Sequence, residues 1–205
     1  MQRLPNDIRS LIQKHHSNSP SCTGCHRPCC YESGFATFRN VECIYQKYVG
    51  GQLHREDFNF TQGLDFSEFA LTYFDIVFNG TELAMLFPKH LSKDNQIVSV
   101  PGTNEYWNFR HRFFQQNPWL NYGCIFLKRK IPNSGYTDSI ECILHEEDID
   151  DILSAKPIDC VFLTCGPGQN VKHDNQIEAE YFRLLSIHYK DEIELCNRQI
   201  YKIAF

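Results

Sequence analysis

Four cysteines fall within nine positions in the stretch SCTGCHRPCC, residues 21–30: Cys22, Cys25, Cys29 and Cys30. Such a density leaves few uses for the thiols, namely disulfides, a metal or catalysis. The opening MQRLPNDIRSLIQKHH contains no uninterrupted apolar core of a signal peptide, and no run approaches the roughly 20 residues needed to cross a bilayer. The expected compartment is therefore the reducing cytoplasm, where clustered thiols read as metal ligands or redox groups before disulfides. Ten cysteines in 205 residues is also too sparse for a disulfide scaffold, and a chain of this length can build a core without covalent staples.

The spacing argues further. A C-x-x-C pair puts two sulfurs on one turn, both within reach of a single ion, and Gly24 relieves backbone strain inside that turn. A bound cation deprotonates the thiols and offsets their charge. Side chains of adjacent Cys29 and Cys30 tend to point apart, so they address different atoms of a cluster, or different sites. The order C-x2-C-x3-C-C is not the bacterial ferredoxin run, nor the C-x3-C-x2-C of radical-SAM enzymes. No βαβ context for a thioredoxin-like C-x-x-C is evident. His26 is a possible substitute ligand, and Arg27, with Lys128, Arg129 and Lys130 downstream, could offset thiolate charge.

A second series follows far along the chain: Cys124 in GCIFL, Cys142 in ECILH, and Cys160 and Cys165 in KPIDCVFLTC. Each of the first three adjoins an apolar run, and any one alone reads as a buried core cysteine. As a series they read as ligands folded back onto the first cluster. Cys43 and Cys196 fall outside it and read as structural.

Over residues 20–166 this order of cysteines resembles the YkgJ-type cysteine-cluster family of zinc- or iron-chelating proteins. That family carries C-x-x-C-x-x-C-C, then C-x-F-L, C-x-I-Y and R-P-x-x-C-R. The matching positions here are Cys22, Cys25, Cys29 and Cys30, then CIFL at Cys124, CILH at Cys142 and KPIDC at Cys160. The chain departs by one extra residue in the first element, by Lys156 for Arg, by Cys165 near the family's Pro, and by an acidic insertion before Cys160. The resemblance implies metal chelation without specifying a reaction. Some relatives are attached to flagellin lysine methylation, a branch associated with an iron–sulfur cluster.

All-thiolate ligands suit an iron–sulfur cluster or zinc. The eight cysteines Cys22, Cys25, Cys29, Cys30, Cys124, Cys142, Cys160 and Cys165 permit one [4Fe–4S] cluster or two zinc sites. Two alternatives remain: an iron- or Fe–S-dependent enzyme modifying a protein or peptide side chain, and a thiol–disulfide redox protein. The net charge of −5 argues against a broad nucleic-acid footprint. No phosphate loop or nucleophile elbow is found, and the acidic HEEDIDD, residues 145–151, reads as a solvated helix face.

The expected fold is α+β, a single helix-rich domain over 1–205, with short strands and irregular cysteine-bearing loops around a metal site. The C-terminal segment, 167–205, packs on the region 20–166. Helices are expected from Asn6, with Ile8, Leu11, Ile12 and His15 on one face; over DFSEFALTYFDIVFNG, capped by Asp65 and Glu68 and stopped by Gly80; over NEYWNFRHRFFQQ; over EEDIDDILSA; and over QIEAEYFRLLSIHY, with Ile177, Tyr181, Leu184, Leu185 and His188 on one face. QIVSV, GCIFL and CVFL are expected as strands. The aromatic stripe from Phe66 to Val77 is expected to face the core.

Overall fold

The computed structural model describes residues 5–16, 36–78, 84–99, 123–130, 139–144 and 179–188, with 112–113, 116–117, 163–164, 172–173, 176–177, 190 and 194. These residues form helices and small antiparallel sheets, a mixed α+β structure. Helix α1 is Asn6–His16, α2 is Phe38–Val49 and α3 is Phe66–Tyr73. The strands pair two by two: β1 (Phe74–Phe78) with β2 (Ala84–Pro88), β3 (His90–Leu91) with β4 (Ile97–Val98), β5 (Leu127–Lys130) with β6 (Ser139–Cys142), and β7 (Leu163–Thr164) with β8 (Lys172–His173).

Helices α2 and α3 both begin with reciprocal caps. Thr37 Oγ1 accepts the Asn40 N–H while Asn40 Oδ1 accepts the Thr37 N–H. Asp65 and Glu68 do the same for α3, as the sequence suggests. Each box satisfies two backbone donors that a helix start otherwise leaves open. Helix α2 ends at Gly50 and Gly51, and the φ of +68° at Gly51 is one that L side chains adopt only with strain.

The aromatic stripe of α3 does face the core, but the helix stops at Tyr73 rather than continuing to Gly80. Phe74 is already extended, with φ −129° and ψ 145°. From there FDIVF runs antiparallel to Ala84–Pro88, with Ile76 opposite Leu86. The β-branched pair Ile76–Val77 fits a pleated surface better than a helix, and cross-strand pairing outweighs the helical spacing. Ala36 adds a further rung to this sheet, exchanging hydrogen bonds of 2.7 and 3.1 Å with Leu86. QIVSV contributes β4, Ile97–Val98. The expected helices over NEYWNFRHRFFQQ and EEDIDDILSA, and CVFL up to Phe162, lie mostly or wholly outside the described residues.

The main core joins α2, α3 and the first strands to the Cys124 segment. Its centre is aromatic: Tyr45, Tyr48, Phe69, Tyr73 and Phe74 pack on one another, and Tyr73 and Phe74 in turn meet Phe58, Phe60 and Phe126, at ring centroids between 4.8 and 6.5 Å. The tyrosine hydroxyls tie down the chain that enters α3. Tyr48 Oη donates to the Thr61 carbonyl at 2.7 Å and accepts the Leu64 N–H at 2.8 Å, and Tyr73 Oη accepts the Thr61 N–H at 2.7 Å. Phenylalanine would satisfy the packing and none of these bonds.

A second cluster pairs α1 with the helical residues 179–188: Ile8 and Ile12 pack on Tyr181, Leu184 and Leu185. His188 is exposed rather than buried with them, and its Nε2 lies 2.7 Å from Asp7 Oδ2.

Two outcomes follow from these contacts. Tyr48→Phe strands the Leu64 N–H and is expected to cost about 1–3 kcal/mol, read as a lower urea midpoint with an unchanged slope. The second concerns acid. The hydrogen bond from His188 holds the Asp7 carboxyl below its ordinary pKa of 3.8, against a small desolvation cost. Such a group contributes stability above its unfolded pKa and loses it as the pH falls through the lower folded value. Glu180 and Arg183 are the other charges near it, and they bond to each other within one helix. The seam between α1 and 179–188 is therefore expected to loosen only below about pH 4. Amide exchange at Ile8 and Ile12 should show this acid limb in the wild type and a smaller one in Asp7→Asn.

Candidate metal centre

Of the eight cysteines read as ligands, Cys124 and Cys142 lie within the described residues. Cys22, Cys25, Cys29, Cys30, Cys160 and Cys165 lie outside them, as do His26, Arg27 and Cys196. No disulfide joins Cys43, Cys124 and Cys142 to one another. Cys43 sits on the buried side of α2 inside the aromatic core, in the structural role the sequence suggests.

GCIFL is not the continuous strand its apolar run suggests. Cys124 forms a single antiparallel rung with His90, Ile125 and Phe126 then turn, and Leu127 opens β5. The turn is closed by the Leu127 N–H on the Cys124 carbonyl at 2.8 Å. A turn wins here because both ends of the segment have partners on different strands. The Ile125 N–H bonds the Lys89 carbonyl at 2.9 Å, and the Phe126 carbonyl accepts the Ile143 N–H at 2.9 Å. Cys142 is then the rung partner of Leu127, half-buried against the core. A turn spans under about 7 Å and a rung about 5 Å, so the two cysteine Cα atoms, eighteen residues apart in the chain, lie within about 12 Å of each other.

Two kinds of interaction hold this turn. From the apolar side, Phe126 inserts between Phe60 and Phe74, with centroids at 6.1 and 5.7 Å. From the polar side, Arg55, only 2% exposed, reaches across the core. Its Nη1 donates to the Ile125 carbonyl at 2.9 Å and, at a longer 3.3 Å, to the Cys124 carbonyl. Its Nε and Nη2 form a fork on Asp57 at 2.7 and 2.6 Å. The charge is thus buried with a partner, as a buried guanidinium requires.

Lys89 stands beside the rung. Its Nζ donates to the Leu71 carbonyl, in the last turn of α3, at 2.6 Å, a position that favours a cation. Burial pulls the Lys89 ammonium below its ordinary pKa, and the Asp75 carboxylate opposes that shift. Asp75 accepts the Ser99 hydroxyl. Lys128, Arg129 and Lys130 occupy β5, with Lys128 opposite Glu141.

Among the described residues, no three of His, Cys, Asp and Glu gather closely enough to hold a metal ion. Of the expected sulfur donors, the described residues place Cys124 and Cys142 in the main core or against it. The sequence reading missed His90, which is fully buried on the Cys124 rung. The surrounding FPKHLSK has no motif to mark it. No helix among the described residues is long and apolar enough to cross a membrane. Comparison with family models, with curated proteins and with solved structures finds no match for this chain.

Arg55→Met removes the donor on two turn carbonyls while Asp57, about a third exposed, stays hydrated. The expected cost is about 1–3 kcal/mol in urea unfolding. Arg55→Lys is expected to recover only part of it, because an ammonium cannot reproduce the planar fork.

Proposed function

We propose that this chain is a cysteine-thiolate metal-binding protein. In this reading Cys22, Cys25, Cys29, Cys30, Cys124, Cys142, Cys160 and Cys165 hold an iron–sulfur cluster or zinc. The observation that carries the reading is the placement of Cys124 and Cys142. Both belong to the downstream series, and one turn and one strand pair link their backbones: Cys124 closes a turn onto Leu127, and Leu127 is the rung partner of Cys142. Cys43, which does not belong to the series, lies instead on a helix face.

The route of the chain supports the same reading. Ala36, six residues after Cys30, is hydrogen-bonded to Leu86 and belongs to the same core as Cys124. The donor chemistry fits soft or borderline metals, since thiolates select zinc and iron–sulfur clusters over magnesium or calcium. The cysteine series and its resemblance to the chelating family point the same way.

Anaerobic purification followed by elemental analysis tests the proposal. A brown protein with iron and acid-labile sulfide indicates a cluster; a colourless one with stoichiometric zinc indicates zinc. Cys25→Ser and Cys160→Ser are each expected to lose most of the metal, while Cys43→Ser keeps it and loses only stability. A metal-free chain whose thiol count changes with reductant would replace this reading with a thiol–disulfide one.

A further inference from the structure

We draw no further inference here: the strongest candidate, the side-chain cluster of Lys89, Asp75 and Ser99 where α3 passes into β1, rests on the lowered pKa of Lys89 alone, since its hydrogen bonds run from Lys89 to the Leu71 carbonyl and from Ser99 to Asp75 and nothing among the described residues shows what ligand it would take.

Discussion

A guanidinium with almost no access to water donates to two successive carbonyls of the Cys124 turn, and much of the surrounding arrangement follows from what such a group requires. Arg55 cannot lose its proton, so burying it demands an anion and acceptors in fixed directions. Asp57 takes one edge of the plane, and the turn carbonyls take the remaining Nη1 hydrogens. The fork is also directional, which an apolar contact is not. It fixes where the turn sits relative to the chain between α2 and α3, and Phe126 then fills the space that this position leaves among Phe60 and Phe74. A buried ion pair of this kind is weak evidence for stability by itself, since desolvation offsets the attraction. Its consequence here is specification: residues 55 and 125, far apart in the chain, share one hydrogen bond and therefore one register.

How far the sequence could be read follows the range of the interactions. The caps at Asp65 and Glu68 and the face of Ile8 and Ile12 are local, and they stand where composition and spacing put them. The end of α3 was not legible, because Phe74 and Val77 suit a helical stripe as well as a strand. Only the partner Ala84–Pro88 decides between them. Helix α2 drew no expectation: its box uses Asn40 where Glu or Gln is usual, and VECIYQKYV is rich in β-branched and aromatic residues of middling helix propensity. GCIFL misled for the opposite reason. Its apolar side chains are all buried, as in a strand, but they are buried on both sides of a turn.

The candidate centre divides along the same line. A C-x-x-C is visible in any sequence because its ligands are three residues apart. The Cys124–Cys142 edge could be suspected only as part of a series, since each cysteine alone resembles Cys43. What separates them is backbone context. Cys43 occupies a helix position surrounded by aromatic rings, whereas Cys124 sits on an isolated rung opposite His90. That rung could not have been found from the chain around either residue. It exists only through two backbone hydrogen bonds across more than thirty residues.

This asymmetry bears on how a metal would act on the chain. The core around Phe69, Tyr73 and Phe126 contains enough buried apolar surface to order itself, and the rung and turn holding Cys124 are made of bonds that involve no metal. On the proposed reading, binding energy is therefore not needed to create the Cys124 rung and turn. It is available instead to bring distant thiols onto it, and each such thiol must first give up a proton and chain entropy. On the proposed reading, metal affinity would depend on the entropy of closing the loops that carry the distant cysteines more than on the backbone already fixed at the Cys124 rung. Shortening the chain between Cys30 and Ala36 would then change affinity without touching a ligand, whereas in a rigid, fully formed cage it would change nothing until the tether became too short to reach.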